Sequence, residues 1–580
     1  MKDACKQLMY RVSDFGEKGI MFVPFMVAVD LVLRFVILPI FFFVNTWILQ
    51  GMEIPFVSLR NTGIIITTHP LLCLALLAEI VAGMFFMYYL MVLIMDGMLS
   101  MWLMTKFSFV SVWHNFKQIT VGKMLLVMMY WMLVLPFNTL LFRTPLFNEI
   151  QLPQFMADFL PRKPWILVIT VVAYLLMAYF GFRFLFALDS FGSESLKDSI
   201  KRSWALTKFG SGEMTNLIIT LIFASLTAVV FDAVVVGIQC LADAGMPSHA
   251  LGFYFFDQVL LHVGSELLYI FVLSTILNLF FYSRIIMSYF FMPEVERMRR
   301  CGKWATVLAV LALVVVSVAG TGMQTVANRN VHTVTVSHRG VADKNGVQNT
   351  IAALEKTHRL HPDYVEIDLH ETKDHQFVVM HDENLKKLTG VDKRPGQLTL
   401  AQLTALTAHE NGHSAKIASF DDYLKVADRL HQKLIVEIKT TPTDSADMLQ
   451  RFDRHYAQTL IARHDRIHTL DYGVVQRLRK LDPRLNVMYI QPYNFAYPNH
   501  AASGYTMEYS TLTDDFITRS HMQGKDVFAW TVEKPGVMNQ LVDKHVDGIV
   551  TDNLVELNRA LTYHNSYAKQ LLDSIMVIPL

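Results

Sequence analysis

The chain divides by its pattern of apolar and polar positions near residue 321. Long apolar runs dominate the residues before that point, whereas short apolar runs alternate with polar stretches after it. A helix needs roughly 20 mostly apolar residues to cross the hydrocarbon core of a bilayer. Seven stretches approach or exceed that length, so the pattern predicts an all-α polytopic membrane domain. The predicted spans are 21–48, 68–97, 122–142, 164–188, 215–241, 258–290 and 304–321.

Two connecting stretches of this first part, 104–117 and 193–208, mix apolar and basic residues at helical spacing. That pattern is typical of amphipathic helices that lie in the plane of the lipid headgroups. Ordinary amphipathic connectors would show the same pattern. Both interpretations therefore predict helices here, and they differ in whether the helices contact lipid.

The second part of the chain contains eight apolar, β-branched runs separated by segments of helical length. This order predicts a parallel (β/α)8 barrel of the TIM type, in which chemistry takes place at the carboxyl ends of the strands. A ninth run, 376–380, follows the second too closely for a parallel crossover, so we expect an antiparallel hairpin there. The eight barrel runs are 332–337, 363–368, 434–438, 467–472, 486–490, 506–511, 527–532 and 546–551.

These patterns give three predicted regions. Residues 1–321 form the membrane domain, residues 322–330 a short linker of small and polar residues, and residues 331–580 the barrel domain. The linker is too short to carry the barrel far from the membrane.

Charge and cysteine content narrow the functional classes. The formal net charge of +1 gives no sign of nucleic-acid binding. All four cysteines precede residue 302, so the barrel can form neither a disulfide nor a thiolate metal site. Lys and Arg concentrate before the first span and in alternate loops, which predicts a cytoplasmic N-terminus. Seven spans would then place the barrel outside the cytoplasm.

Carboxylates at strand ends indicate a metal site. Glu366 and Asp368 are two residues apart on one strand, so both side chains point to the same face. Glu437 ends the next barrel strand. Three carboxylates are hard oxygen ligands that suit calcium or magnesium, and we predict that they hold one divalent cation.

Seven short motifs connect this pattern to a known family. In their order and spacing they resemble the glycerophosphodiester phosphodiesterase family over about residues 331–555, and the apolar spans are similar to the membrane domain of some bacterial members. The resemblance implies a multi-pass protein of a bacterial cell membrane. The motifs are HRG at 338–340, ExD at 366–368, TKD at 372–374, HD at 381–382, EIK at 437–439, WTV at 530–532 and DGIVTD at 547–552.

The resemblance implies that the protein hydrolyses glycerophosphodiesters to glycerol 3-phosphate and an alcohol, and it implies a mechanism in two steps. A hydroxyl of the substrate's glycerol moiety attacks phosphorus, and water then opens the resulting cyclic phosphate. We expect His338 to act as the base and His381 as the acid, because imidazole titrates near neutral pH. Arg339 and Lys439 would bind the phosphate oxygens, and Trp530 would line the pocket for glycerol.

The chain departs from the family pattern in three places. Residues 347–350 read Val-Gln-Asn-Thr where Pro-Glu-Asn-Thr is typical, so Gln348 replaces a carboxylate with an amide. His375 replaces a glycine in the hairpin turn, and Glu533 replaces an asparagine. Residues 384–419 correspond to an insertion beside the active site that shapes substrate choice in the family.

The membrane domain favours substrates that are lipids or are linked to lipids. Lysophospholipids, glycerophospholipid headgroups and poly(glycerol phosphate) all fit, and homo-oligomers through the membrane domain are compatible with the pattern. Two alternatives remain at this stage. The barrel could bind ligand without turnover as part of a lipid transporter or receptor, or it could carry out chemistry like that of lysophospholipase D or sphingomyelinase D.

Overall fold

A computed structural model describes most of the chain. The residues it describes are 22–51, 66, 70–102, 107–134, 164–184, 187, 195–208, 212–285, 295–327, 332–492, 501–562 and 566–575. Its N-terminal part is helical and its C-terminal part is built around a closed parallel barrel, which confirms the predicted fold class.

Ten helices are described before residue 328, and the first two are joined by a π-helical turn, Leu33–Ile37. The ten helices are α1 (Phe22–Val32), α2 (Leu38–Gly51), α3 (Pro70–Trp102), α4 (Phe109–Phe116), α5 (Val121–Val134), α6 (Pro164–Arg183), α7 (Leu196–Leu206), α8 (Gly212–Gly245), α9 (Ala250–Ile285) and α10 (Val295–Ala327).

Six apolar helices of the described residues are long enough to cross a membrane. Each of the six overlaps a different one of the seven predicted spans. The third predicted span, 122–142, begins with the shorter apolar helix α5, and residues 135–142 lie outside the described part of the chain. Many large apolar side chains on these helices are exposed, as expected where lipid replaces water.

The two predicted amphipathic stretches contain α4 and α7. Helix α4 exposes Phe109, Val110 and Trp113, and the carboxylate of Asp96 in α3 accepts a hydrogen bond from Asn115 Nδ2 at 2.9 Å. The bond fixes α4 to the end of α3. Contact of either helix with lipid stays a prediction.

The boundary between the two parts differs from the predicted one. Helix α10 continues to Ala327, so the first six residues of the predicted linker are helical. Gly320 and Gly322 lie inside α10 and do not end it. Glycine lowers helix propensity by only about 1 kcal/mol, which the apolar residues on either side can offset.

The barrel has eight parallel strands, each at one of the predicted runs. The strands, in their order around the barrel, are β1 (Val334–Ser337), β2 (Tyr364–Glu371), β7 (Lys433–Ile438), β8 (Arg466–Thr469), β9 (Val487–Gln491), β10 (Gly504–Glu508), β11 (Asp526–Trp530) and β12 (Gly548–Thr551). Pairing of β1 with both β12 and β2 closes the sheet.

The ninth run forms the predicted antiparallel hairpin. Strand β3 (Phe377–Val379) pairs with the end of β2, where Leu369 lies opposite Val379. In the turn His375 adopts a φ of 59°, in the left-handed region that favours glycine, and its ring contacts the Glu371 carboxylate at 3.2 Å. The backbone therefore keeps a conformation suited to glycine although a side chain is present.

The insertion between β3 and the next barrel helix has its own small core. It comprises α12 (Lys386–Thr389), α13 (Leu400–Ala405), the hairpin of β4 (Thr407–Glu410) and β5 (His413–Lys416), and the short β6 (Ala418–Ser419). Strand β6 pairs with β3, so the insertion is attached to the barrel beside the carboxyl end of β2.

The remaining helices surround the barrel, apart from the last, α20, which also packs against α8 and α9 of the membrane part. These helices are α11 (Ile351–Thr357), α14 (Phe420–Arg429), α15 (Met448–Arg463), α16 (Tyr472–Leu481), α17 (Asp514–Met522), α18 (Pro535–Asp543), α19 (Leu554–Thr562) and α20 (Tyr567–Ile575).

Candidate active site

Adjacent strands bring four titratable side chains into one group at the carboxyl end of the barrel. Asp368 of β2 is in register with Glu437 of β7, which is in register with His468 of β8. Glu366 lies two residues before Asp368 and therefore on the same face of its strand. All four side chains are buried.

Three of these side chains could hold a metal ion. One potential ligand atom from each of Glu366, Glu437 and His468 lies within 4.8 Å of the others. His468 Nε2 is buried and has no hydrogen-bond partner among the described residues, and it lies 3.5 Å from Glu366 Oε1. A buried nitrogen without a partner beside two carboxylates fits a cation site.

Asp368, the third predicted ligand, lies next to this group and makes other contacts. Its Oδ1 is 2.9 Å from Lys439 Nζ, and its Oδ2 accepts a hydrogen bond from Asn349 Nδ2 at 2.8 Å. Lys439 Nζ also lies 2.7 Å from Glu437 Oε1. The ammonium group therefore bridges two of the three carboxylates that the sequence predicts as ligands.

The bridge shifts the pKa values of its members. Burial is the largest single influence on both groups and opposes the charged forms of Asp368 and Lys439. The attraction between the two groups, together with the other charges and hydrogen bonds around each, outweighs it. The pKa of Asp368 is therefore lowered well below its ordinary value, and the pKa of Lys439 is raised. For Glu437 burial dominates and raises the pKa above the usual value.

His338, immediately after β1, is held between an acceptor and a donor. Its Nδ1 is 3.0 Å from Asp552 Oδ1, and its Nε2 is 3.2 Å from Arg339 Nε. Because a guanidinium can only donate, Nε2 must accept, and we assign the proton of the neutral ring to Nδ1, which donates to Asp552. Nε2 is therefore the basic nitrogen.

The surroundings of Asp552 influence both His338 and Glu533. Burial is the largest single influence on the pKa of His338 and lowers it. The hydrogen bond to Asp552 and the negative charges of Asp552 and Glu366 together raise it more, so the pKa lies above its ordinary value. Glu533 Oε1 accepts a hydrogen bond from Asp552 N at 3.0 Å, and burial raises the pKa of Glu533 to about 7. The glutamate that departs from the family pattern thus lies next to the partner of His338.

Arg339 has an unusual backbone that directs it into the site. Its φ is 52°, and its backbone N donates to Glu366 Oε2 at 2.8 Å. Gly340 follows with a φ of 68°, and a Cβ there would lie 2.8 Å from Tyr423 Oη. The turn after β1 therefore requires glycine at 340, and Glu366 stabilises the left-handed residue before it.

The other predicted site residues lie around the same strand ends. His381 follows β3, and its Nδ1 is 2.9 Å from Asp382 Oδ1. Trp530 ends β11 and donates from Nε1 to Thr506 O at 3.0 Å, which fixes the plane of the indole. The structure thus places every predicted site residue at the carboxyl end of the barrel or on the hairpin beside it.

Sequence reasoning missed His468 and did not assign a role to Asp552. The pattern predicts only a strand at 467–472, although the histidine at its second position shares a register with Glu437. Asp552 is the last residue of the DGIVTD motif, and pairing of β1 with β12 brings it to His338. Strand register is the signal that gives each of these residues its place in the site.

Comparison with known proteins agrees with this geometry. Residues 11–317 match the membrane domain of glycerophosphoryl diester phosphodiesterase, and residues 338–556 match the glycerophosphoryl diester phosphodiesterase family. The chain belongs to this family. Membership confirms the predicted enzyme class, a phosphoric diester hydrolase, and decides against the alternative of a barrel that only binds ligand.

Individual relatives in the family match the barrel. A glycerophosphodiester phosphodiesterase of Caldanaerobacter subterraneus is 24% identical over 230 residues, which cover 38% of this chain and 94% of the relative. Lysophospholipase D GDPD1 of Homo sapiens is 46% identical over 68 residues, 12% of this chain and 21% of the relative.

Solved structures of the family cover the same region. A glycerophosphodiester phosphodiesterase from Parabacteroides distasonis shares 25% identity and covers 40% of this chain and 98% of its own, with a TM-score of 0.36. A phosphodiesterase from Oleispira antarctica, solved with the product sn-glycerol-3-phosphate, shares 18% identity over 41% of this chain and 99% of its own, with a TM-score of 0.36.

Proposed function

We propose that the enzyme is a metal-dependent glycerophosphodiester phosphodiesterase that uses two histidines for proton transfer and acts on lipid-derived or lipid-linked substrates. One observation carries this proposal. Two buried carboxylates converge next to His338 with a His468 nitrogen that has no hydrogen-bond partner in the described part of the chain, and Asp552 defines the basic nitrogen of His338. Phosphodiester hydrolysis needs a cation, a base and an acid, and this site offers residues suited to all three.

Glu366 and Glu437 would hold the cation, with Asp368 as the predicted third carboxylate and His468 as a further donor. The oxygen ligands suit calcium or magnesium. A bound divalent cation would neutralise charge on the phosphate and acidify a coordinated hydroxyl. Lys439 Nζ lies 2.9 Å from Asp368 Oδ1, so its ammonium group would lie beside a cation held by Asp368.

The protein's own residues account for proton transfer and phosphate binding. His338 Nε2 accepts the proton of the attacking glycerol hydroxyl, while Asp552 stabilises the resulting imidazolium. His381 donates a proton to the departing alcohol oxygen, and the two roles reverse when water opens the cyclic phosphate. Arg339 and Lys439 donate to the non-bridging oxygens, and Trp530 forms a wall of the glycerol pocket.

A chelation experiment tests metal dependence. The full-length enzyme in detergent is assayed with glycerophosphocholine, with EDTA, and after addition of calcium or magnesium. We expect EDTA to abolish release of glycerol 3-phosphate and one of the two ions to restore it. Full activity in EDTA would refute the proposal, and Glu366→Gln should lose activity at every metal concentration.

The lipid nature of the substrate is supported by the membrane domain and by the local similarity to a lysophospholipase D. Turnover of lysophosphatidylcholine and glycerophosphocholine can be compared in mixed micelles, with phosphorus NMR to identify the products. We expect the lysophospholipid to be hydrolysed at the higher kcat/KM, giving an acylated glycerol phosphate and choline. A preference for the unacylated diester would contradict this part of the proposal.

We further propose that residues 1–321 anchor the enzyme in a bacterial membrane with a cytoplasmic N-terminus, and that residues 331–580 lie outside. This placement needs a seventh crossing, which would begin with α5. After replacement of the native cysteines by serine, Lys425→Cys on the exposed face of α14 should react with a membrane-impermeant maleimide in intact cells. Lys201→Cys in α7 should react only after permeabilisation.

Labelling of Lys425→Cys only in permeabilised cells would place the barrel in the cytoplasm. Six crossings would give that result, since an even number returns the chain to the side where it began. Homo-oligomers through the membrane domain stay a prediction, for which light scattering of the detergent-solubilised protein is the measurement.

A further inference from the structure

Arg339 is the first member of a chain of polar contacts that leads out of the site. Its Nη1 donates to Gln348 Oε1 at 2.8 Å, and Gln348 Nε2 donates to Glu410 Oε1 at 2.7 Å. The backbone N of Gln348 donates to the other carboxylate oxygen of Glu410 at 3.0 Å. Gln348 is buried, so these contacts are shielded from water.

The chemistry of the three groups allows only one orientation of the amide. A guanidinium only donates and a carboxylate only accepts, so Gln348 must present oxygen to Arg339 and nitrogen to Glu410. Both oxygens of Glu410 are used, one by the side chain and one by the backbone of Gln348. The amide therefore cannot rotate without leaving a buried group unpaired.

Glu410 belongs to the inserted β4–β5 hairpin, which is anchored at the same place by a second bond. Asn411 Nδ2 donates to Gly346 O at 3.1 Å. The insertion thus contacts the loop after β1 through two consecutive residues. Through Gln348, the carboxylate of Glu410 in the insertion thereby fixes the direction of the Arg339 guanidinium beside His338.

We propose that Gln348 and Glu410 are positioning residues that orient Arg339 toward the substrate phosphate. In this chain an amide, rather than the carboxylate typical of the family at position 348, contacts the guanidinium, and Glu410 fixes the orientation of that amide. Arg339 Nε also lies 3.8 Å from Asp368 Oδ2, so the guanidinium is held from both sides. The inference rests on the proposed role of Arg339 in binding phosphate.

The hydrogen-bonded relay from Glu410 through Gln348 to Arg339 is tested by exchanging the side chains of Gln348 and Glu410. In Glu410→Gln the new amide has one acceptor for the two donors of Gln348, and in Gln348→Glu two carboxylates face each other. Each single variant should raise KM for glycerophosphocholine about 10-fold, as expected for a misplaced binding group, with kcat within about twofold. The inhibition constant for sn-glycerol 3-phosphate should rise in parallel.

The double variant Gln348→Glu/Glu410→Gln satisfies every donor again, because the new amide at 410 donates to the new carboxylate and accepts from the backbone N of residue 348. We expect its KM to recover to within about threefold of wild type. Asp392→Asn, the same change at an exposed carboxylate of the insertion that contacts Asn384 and Lys386, is the matched control and should leave KM unchanged.

Each contrary result has a distinct meaning. If Arg339→Ala leaves KM unchanged, the proposed role of Arg339 is wrong. If Arg339→Ala raises KM while Glu410→Gln does not, the relay is refuted and the role of Arg339 stands. A double variant no better than the worse single variant also refutes the relay, since it would show damage to the fold rather than loss of orientation.

Discussion

At the scale of single residues, the proposed mechanism depends on what each ring nitrogen contacts. Asp552 binds Nδ1 of His338, so Nε2, which accepts from Arg339 Nε, is the basic nitrogen. Thr506 lies 3.4 Å from Nδ1 of His468, and Nε2 of that ring has no hydrogen-bond partner among the described residues. The first arrangement suits the proposed proton transfer and the second the proposed cation site. Two predictions follow from this difference.

Asp552→Asn should move the acid limb of the pH profile to lower pH. Burial lowers the pKa of His338, but the hydrogen bond to Asp552 and the negative charges of Asp552 and Glu366 together raise it more, so the pKa lies above its ordinary value. The base must be neutral to act, and removing the acceptor charge lets His338 lose its proton at a lower pH. The measurement is kcat/KM from pH 4 to 9, and an unchanged acid limb would show that Asp552 does not control His338.

His468→Gln should weaken metal binding about 10-fold or more, because it removes the buried nitrogen beside Glu366 and Glu437. The concentration of calcium or magnesium that restores half of the activity after EDTA is the quantity to compare. Asp368→Asn serves as the comparison for the ligand that the sequence predicts. An unchanged metal requirement in the His468 variant would exclude that residue from the site.

At the scale of elements, the sequence predicted what depends on local periodicity. All eight barrel strands and the β2–β3 hairpin have the predicted order, because apolar runs of strand length between turn residues are a local signal. An apolar run does not show which residues of neighbouring strands lie opposite each other, so it could not place His468 beside Glu437. It also could not connect Gln348 with Glu410, since 62 residues separate them and no rule of spacing applies across an insertion.

Helix α15 illustrates how one element stabilises the barrel that carries the site. Phe452 is fully buried, with Phe420 of α14 stacked at 6.3 Å between ring centroids and Phe377 of β3 edge-on at 5.5 Å. The cluster connects the hairpin that delivers His381 to two barrel helices. It therefore supports both the fold and the position of the predicted acid.

Phe452→Ala should lower the free energy of unfolding by about 3–5 kcal/mol through loss of buried area and creation of a cavity. Hydrogen exchange of amides in β3 and α15 of the full-length protein measures this loss where it occurs. Gln450→Ala, at an exposed position of the same helix, is the control and should leave exchange unchanged. Equal protection in the two variants would contradict the assigned importance of the cluster.

At the scale of the whole molecule, the barrel is attached to the membrane helices at both ends of its sequence. Helix α10 precedes β1 in the sequence and packs against α17, and the helix α20 packs against α8 and α9. Leu571 of α20 is fully buried beside Val235 and Leu261. Ala568 N donates to Asp243 Oδ2 at 2.8 Å, so a polar contact adds direction to the apolar one.

Two attachments limit rotation of the barrel relative to the membrane helices more than a single attachment does. A domain held only through α10 could still rotate about that connection. Leu571→Asp places a charge in the apolar contact and should release α20, while the barrel keeps its own core. Leu572→Asp, at the neighbouring position that is 39% exposed, is the matched control. Hydrogen exchange of residues 566–575 should become fast in the first variant and remain slow in the second.

The kinetic consequence distinguishes a fixed orientation from simple tethering. A water-soluble diester reaches the barrel from any direction, so Leu571→Asp should leave kcat/KM for glycerophosphocholine within about twofold of wild type. A lysophospholipid in a vesicle approaches only from the membrane surface, and its hydrolysis should fall about 10-fold once the barrel is free to turn. Equal losses for both substrates would show that α20 stabilises the barrel itself, and no loss for either would show that the attachment through α10 is sufficient to orient it.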